Sequence, residues 1–322
     1  MDNPLIQVVA AHKQGRTVGM CSICSANRFV LQAAMLKSKT ERTLLLIEAT
    51  SNQVNQFGGY TGMTPLQFSG YVKEIARDTG FPFDRVMLGG DHLGPNPWQH
   101  ERANVAMSNA RELARACVQA GFRKIHLDTS MPCADDSVDA HGALPMKVAV
   151  DRAADLARVC ETVWTDLPAP SKAPVYVIGT EVPPPGGAKE KLDHVVPSEV
   201  QDARQTVEAT QHAFSAAGVE AAWPRAIALV VQPGVEFGDT SISAYRRSRK
   251  TAALREFIEH HPSLVFEAHS TDYQSQQALS GLRRSHFRSY VQQPRAWSDF
   301  QRNVARLFHH HPAAVEEDPH RE

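Results

Sequence analysis

The chain has 322 residues, of which 42% are hydrophobic and 21% are charged, a composition typical of a globular protein with a sizeable core. Its formal net charge is −1, so no general attraction to nucleic acid or to an anionic membrane is expected. The chain does not open on a basic region followed by an apolar run, and no stretch has the length of a membrane-spanning helix. The 5 scattered cysteines indicate a reducing compartment, so the cytoplasm is the predicted location.

Short apolar runs alternate with longer helical patterns along the chain, which is typical of βαβ units around a parallel sheet. Strands are predicted at 18–24, 43–50, 85–92, 124–128, 175–181, 226–231 and 264–269. Helices are predicted near 29–37, from 64–65 onward, and over 101–120, 146–163 and 198–217. The nearly continuous apolar character of the strands indicates burial on both faces.

This order predicts a (β/α)₈-type barrel over residues 1–281, with a doubly wound sheet as the main alternative. The remainder, 282–322, is rich in Arg and His and contains no clear eighth strand. We expect this tail to be divergent and poorly ordered.

Most of the predicted strands end in residues that are capable of proton transfer or metal binding. These residues are Glu48, Asp91 with His92, His126 with Asp128, Glu181, and Glu267 with His269. In a barrel the carboxyl ends of the strands converge on one rim, where active sites lie. There they can ligate a divalent metal or move protons beside a carbonyl. Any one of them is about as often a helix cap or a loop acceptor as it is a functional residue. The functional interpretation therefore depends on the repetition of such residues at five strand ends.

Spacing predicts the direction of some of these side chains. His126 and Asp128 are two positions apart and should face the same side of their strand. Asp91 and His92 are adjacent and should point apart if the strand continues through them. That arrangement would suit a ligand at one position and a proton-transfer residue at the other.

Two further patterns have structural explanations that we favour. Cys21 and Cys24 should face opposite sides of a strand, and no second pair completes a four-cysteine site, so a buried pair is predicted. The Gly-rich segments 58–62 and 186–187 lack the spacing of a phosphate loop or a dinucleotide fingerprint, and turn formation explains them.

The sequence also resembles a known family. The 47–63 segment, IEATSNQVNQFGGYTGM, is close to diagnostic for the GatZ/KbaZ family, once described as tagatose-6-phosphate kinases. Further matching stretches lie at 19–27, 89–96, 124–131, 179–183, 232–237 and 266–274. The family is regarded as the non-catalytic partner of a GatY/KbaY-type class II aldolase.

The resemblance implies an aldolase-like barrel of the TIM type and a metal site, with zinc as the expected ion. By analogy with class II aldolases it implies proton transfer by Asp91 and metal binding by His92, Glu181 and His269. Glu48 and Asp128 are the further catalytic candidates. Candidate substrate contacts are Asn52, Gln53, Asn55, Gln56, His126, Thr271 and Asp272.

The function implied is that of a non-catalytic subunit of class II tagatose-1,6-bisphosphate aldolase. Such a subunit supports a GatY/KbaY-type catalytic partner in the catabolism of tagatose 6-phosphate, galactitol or N-acetylgalactosamine, and its ligand is a sugar phosphate. The alternative is a metal-dependent 4-epimerase of a ketose or ketose phosphate. The older kinase interpretation ranks last, because no phosphate-loop motif is present.

The chain departs from the family after the seventh strand. Ser285-His286-Phe287 begins plausibly, but 288–295 does not match the expected eighth strand. We expect the eighth strand and the C-terminal helical region to be degenerate or missing, with a frameshift or truncation as the hypothesis. A barrel without its closing strand would leave two sheet edges unpaired.

Overall fold

A computed structural model describes residues 3–16, 18–168, 172–179, 195–237, 242–271, 273–285 and 287–290. Eight parallel strands form a closed barrel in the order β1-β2-β3-β4-β5-β6-β9-β10. Their bounds are β1 Met20–Cys24, β2 Leu45–Thr50, β3 Val86–Leu93, β4 Phe122–Leu127, β5 Val175–Ile178, β6 Ala226–Val230, β9 Val265–Ala268 and β10 Phe287–Tyr290. The predicted TIM-type barrel is therefore confirmed, and the doubly wound sheet is excluded.

Helices follow the strands, as the periodicity predicts. They are α1 Pro4–Lys13, α2 Arg28–Glu41, α3 Pro65–Thr79, α4 Ala103–Gln119, α5 Met146–Thr165, α6 Val200–Ala216, α7 Arg249–Glu259 and α8 Gln276–Arg284. Helix α3 begins at the predicted Thr-Pro pair, where Thr64 and Gln67 form a reciprocal capping box. A small antiparallel pair, β7 Glu236–Phe237 and β8 Ile242–Ser243, follows β6. None of the helices described here is both long and apolar enough to cross a membrane.

Strand β10 closes the barrel, so the eighth strand is present in degenerate form and is not missing. It pairs in parallel with β1 and with β9, although a register shift interrupts the β9 pairing between Phe287 and Ser289. A four-residue strand with an irregular register fits the predicted degenerate eighth strand, but both sheet edges are paired. The predicted tail boundary at 281/282 falls within α8, so the barrel extends to Tyr290. The rest of the predicted tail, 291–322, lies outside the described residues.

Helix α1 is packed against the end of the barrel formed by the amino ends of the strands. Leu5 and Val9 join a buried cluster with apolar residues from β2, β3, β5, β6 and β9. The Asn3 side chain accepts from the amide of Leu5 and donates to the carbonyl oxygens of Arg123 and Ala173. Because this end is filled with apolar side chains, the buried polar groups of the barrel lie toward the carboxyl ends of the strands.

Candidate metal centre

The end of β3 presents Asp91 and His92 on the same side of the chain. Gly90 pairs with Ile125 whereas Leu93 pairs with Leu127, so three residues of β3 advance against two of β4. This extra residue is a β-bulge, and His92 has a left-handed φ of 49°, a conformation that is uncommon outside glycine. The expectation that Asp91 and His92 point apart is therefore wrong, because the strand does not continue regularly through them.

Three imidazoles meet above the barrel interior. The ring centres of His92, His126 and His269 are 5.0, 5.0 and 5.1 Å apart. With Asp91 they offer four ligand atoms that all lie within 4.8 Å of one another, and all four residues are buried.

This arrangement fits a divalent cation. A Zn–N bond of about 2.1 Å places the ion about 3 Å from each ring centre, and tetrahedral angles then separate the ring centres by about 5 Å. The observed spacings of 5.0 to 5.1 Å agree with that figure. Three imidazoles and a carboxylate are also a ligand set that zinc accepts.

Carboxylates orient two of the rings. Asp128 Oδ2 lies 2.7 Å from His92 Nδ1, which leaves His92 Nε2 facing the cluster, 3.8 Å from Asp91 Oδ2. Asp91 Oδ1 lies 2.9 Å from His126 Nδ1. His126 Nε2 is buried and has no hydrogen-bond partner among the described residues. A buried ring nitrogen without a partner is costly unless an ion or water meets it, so this atom supports a cation site.

A buried ion-pair network lies directly beneath the imidazoles. Lys124 Nζ donates to Glu48 Oε1 at 2.7 Å and to Glu267 Oε1 at 3.0 Å, and all three side chains are fully buried. Ser22 donates to the other oxygen of Glu48. Gly89 makes room for this network, since a Cβ there would lie 2.6 Å from Glu48 Oε1. We call Glu48, Lys124 and Glu267 the buried triad.

The charges of the cluster are set by mutual contact. Burial by itself raises the pKa of Asp91, but the surrounding imidazoles outweigh it and hold that pKa well below its usual value. Burial alone would lower the pKa of His92, yet Asp91 and Asp128 raise it to about 9. Burial raises the pKa of Asp128, but the hydrogen bond and the charge of His92 outweigh burial and lower that pKa. Asp91 and Asp128 are thus anions that stabilise positive charge at His92.

The buried triad contains one firmly ionised carboxylate and one that accepts a proton more readily. Burial raises the pKa of Glu48 to about 7, although Lys124 opposes the shift. Burial also raises the pKa of Glu267, but Lys124 and His269 outweigh burial and lower that pKa. Burial alone would lower the pKa of Lys124, and the two carboxylates reverse this and raise it. Lys124 is therefore an ammonium that balances at least the charge of Glu267.

Two predicted substrate contacts, Asn55 and Gln56, form hydrogen bonds to the backbone in and around the loop after β2. Asn55 accepts from the amides of Phe57 and Gly59 and donates to the Ser51 carbonyl, and Gln56 donates to the Asn109 carbonyl. Asn55 therefore stabilises the loop itself, and Gln56 ties the loop to α4. Their assignment to substrate stays a prediction.

The remaining predicted contacts lie nearer the cluster or outside the described residues. Gln53 accepts from the Thr50 amide and its Oε1 is 3.9 Å from Cys24 Sγ, while Asn52 is partly exposed. Thr271 is buried two residues after His269. Glu181 and Asp272, predicted as a metal ligand and a substrate contact, lie outside the described residues. His126, predicted to contact substrate, lies in the metal-type cluster with Asp91, His92 and His269.

Cys24 is a site residue that spacing alone did not identify. Its Sγ is 3.5 Å from Asp91 Oδ2. Burial raises the pKa of the Cys24 thiol well above its usual value, so the group there is a neutral thiol. As whole residues Cys21 and Cys24 are both partly exposed, which corrects the prediction of a buried pair, although the Cys24 thiol itself is enclosed by its neighbours.

The sequence analysis gives Lys124 no role and names Glu267 only as one of the polar strand-end residues, although spacing links both to the cluster. Each precedes a cluster histidine by two positions, Lys124 before His126 and Glu267 before His269. Residues two apart on a strand face the same side. A charged residue inside an apolar strand, in phase with a ligand, therefore predicts a group that lies beneath the ligand.

Comparison with known proteins agrees with this geometry. The family model described as D-tagatose-1,6-bisphosphate aldolase subunit GatZ/KbaZ-like matches residues 5–291. A solved structure of a probable tagatose 6 phosphate kinase from Sinorhizobium meliloti 1021 is similar at 43% identity and a TM-score of 0.74, over 84% of this chain. The chain spans 64% of the length of that protein.

Two solved aldolases share the fold at low identity. Fructose-bisphosphate aldolase from Campylobacter jejuni has a TM-score of 0.59 at 10% identity, covering 98% of this chain and 83% of its own. The YdjI aldolase from Escherichia coli K12 has a TM-score of 0.53 at 11% identity, covering 94% and 92%. These two similarities concern the barrel alone.

Proposed function

Because the chain belongs to the GatZ/KbaZ-like family of D-tagatose-1,6-bisphosphate aldolase subunits, we propose that it is an accessory subunit of that aldolase. In this role it stabilises and activates a separate GatY/KbaY-type catalytic subunit, which splits tagatose 1,6-bisphosphate into two triose phosphates. The observation that carries the proposal is the extent of the family match, which covers the barrel from α1 to β10.

Co-expression with a GatY/KbaY-type subunit tests the accessory role. We expect the two chains to co-purify and the aldolase activity per catalytic subunit to rise when this chain is added. A catalytic subunit that is equally active and equally stable with and without this chain would contradict the proposal. Bovine serum albumin at the same concentration controls for non-specific protection.

The intact candidate metal centre favours a second function, in which the chain itself is a metal-dependent 4-epimerase of a ketose phosphate. His92, His126 and His269 would hold the ion, and zinc is the metal we propose. When bound, a divalent cation would withdraw electron density from the substrate carbonyl. This chain alone supplies all three imidazoles and the neighbouring Asp91.

Asp91 is the residue best placed to move a proton in such a reaction. It would take the proton of the C4 hydroxyl as the C3–C4 bond breaks and C4 becomes an aldehyde. The aldehyde then rotates so that its opposite face is presented to C3. The C3–C4 bond forms again and Asp91 returns the proton, so atoms and electrons balance without a co-reactant. Asp91 is buried and ionised at neutral pH, so it is in the form that can accept a proton.

Turnover by the purified chain separates the two functions. With added Zn²⁺ alone, an epimerase converts tagatose 6-phosphate into fructose 6-phosphate, and Asp91→Asn abolishes this conversion without removing the metal. Absence of turnover, together with activation of a catalytic partner, would leave the accessory role as the function.

A further inference from the structure

The buried triad adds a residue to the metal centre that no proposed role yet uses. Lys124 is fully buried and is the ammonium shared by Glu48 and Glu267. It does not reach the imidazoles directly, but Glu267 Oε1 accepts from Lys124 at 3.0 Å and lies 3.2 Å from His269 Nε2. Lys124, Glu267 and His269 therefore form one continuous chain of hydrogen bonds.

Hydrogen-bond chemistry sets the direction of this chain. A lysine ammonium can only donate, and an ionised carboxylate can only accept. Glu267 Oε1 accepts a hydrogen bond from the Lys124 ammonium and carries no hydrogen of its own. It can therefore only accept a hydrogen bond from His269. The Nε2 atom of His269 must then carry a hydrogen, and its Nδ1 atom is left with the lone pair that a metal requires.

We propose that Lys124 is a positioning residue, which acts through Glu267 to hold His269 as the Nε2–H tautomer with Nδ1 directed at a bound divalent cation. This inference rests on the proposed metal binding and deepens it. Asp128 orients the ring of His92 in the corresponding way, because it is paired with Nδ1 of that ring. The cluster would thus use opposite ring nitrogens of His92 and His269.

The alternative is that Lys124 only neutralises two buried carboxylates and stabilises the fold. Both views predict that Lys124→Met lowers stability, so stability does not separate them. They differ at His269, because only the positioning role links Lys124 to the tautomer of that ring. Outer partners of metal-bound histidines typically change metal affinity about 10–100-fold when removed.

The test measures Zn²⁺ affinity by competition with a chromophoric chelator, in the full chain and in Lys124→Met. We expect Lys124→Met to bind Zn²⁺ about 10–100-fold more weakly. Arg123→Met is the matched control: it removes a buried cation from the adjacent position of the same strand, where the side chain donates to the Val118 and Phe122 carbonyls. This control should retain wild-type affinity even if it loses a similar amount of stability.

A spectroscopic readout reports the tautomer of His269 directly, without a measurement of metal affinity. In metal-free protein labelled with ¹⁵N-histidine, the His269 ring should show the shifts of an Nε2–H tautomer, with the signal assigned by its loss in His269→Gln. Without Lys124 the Glu267 carboxylate is no longer held against Nε2 of His269, so Lys124→Met should move this signal toward a mixture of tautomers. If Lys124→Met does not fold, Lys124→Met/Glu48→Gln removes the second carboxylate charge as well and serves for both measurements.

The outcomes separate this inference from the proposed function. A wild-type chain that binds no Zn²⁺, or that shows the Nδ1–H tautomer at His269, overturns the inference, and the first result also removes the metal centre. A wild type that binds Zn²⁺ together with a Lys124 variant of equal affinity and unchanged His269 signal overturns the positioning role alone.

Discussion

Replacing His126 tests most directly how the candidate metal centre is built. The sequence assigns His126 to substrate, whereas the structure places its ring centre 5.0 and 5.1 Å from the rings of His92 and His269. We expect His126→Ala to remove one ligand from the metal and to leave the barrel folded.

The expected loss follows from the number of ligands. Structural zinc sites bind with about 10–16 kcal/mol, and an equal share among four ligand positions is roughly 3 kcal/mol for each. Since about 1.4 kcal/mol corresponds to a factor of ten, the affinity for Zn²⁺ should fall by about 100-fold or more. His126 is fully buried, and its Nε2 atom has no hydrogen-bond partner among the described residues. Both observations strengthen this expectation.

Isothermal titration with Zn²⁺ measures this loss, and near-ultraviolet circular dichroism checks that the variant is folded. His212→Ala, which removes an exposed histidine from α6, should titrate like the unmodified chain. If His126→Ala is folded and binds Zn²⁺ as tightly as the unmodified chain, the three-histidine centre is refuted, and the assignment of His126 to substrate becomes the better explanation.

Four further predictions concern stability. Lys124→Met leaves the Glu48 and Glu267 carboxylates buried without their cation, so urea denaturation should show a loss of about 3–5 kcal/mol; a loss below 1 kcal/mol would contradict the buried ion pairs. Gly89→Ala forces a Cβ to within 2.6 Å of Glu48 Oε1 and should cost about 1–3 kcal/mol, measured in the same way. Removing bound zinc with a chelator should lower the thermal midpoint, because a ligand at 100 times its Kd adds about 2.7 kcal/mol; an unchanged midpoint would count against a metal bound to the native state. Arg152 lowers the pKa of Asp136, so this pair adds stability that is present above the unfolded pKa of about 3.9 and is lost as the pH falls below it. Asp136→Asn should therefore reduce the acid dependence of the unfolding free energy, and an unchanged dependence would contradict the pairing.

The fold could be predicted from the sequence because the signals for strands and helices are local. Apolar runs followed by helical periodicity identify parallel strands and their helices, and the structure places seven strands within a few residues of the predicted bounds. The polar residues that end these runs mark the candidate site for the same reason, since parallel strands share one carboxyl edge. Closure by β10 was not visible, because a four-residue strand with an irregular register has no periodicity to detect.

The site depended on features that act across the chain. The bulge and the left-handed φ at His92 bring Asp91 and His92 together, and sequence alternation predicts the opposite. Asn55 and Gln56 are predicted substrate contacts, and the folded chain adds that they form hydrogen bonds to the backbone of their own loop and of α4. The sequence does not show these bonds, because an amide side chain is equally suited to a ligand and to the backbone.

The sequence alone determined which chemical groups reach the rim of this barrel, since strand order and side-chain alternation are encoded locally. The tertiary structure decided which of those groups face one another and in what charge state. His126 becomes a candidate ligand, and Lys124 becomes the buried cation beneath it. The physical reason is that coordination and ion pairing depend on distances of a few ångströms between strands that lie far apart in the chain.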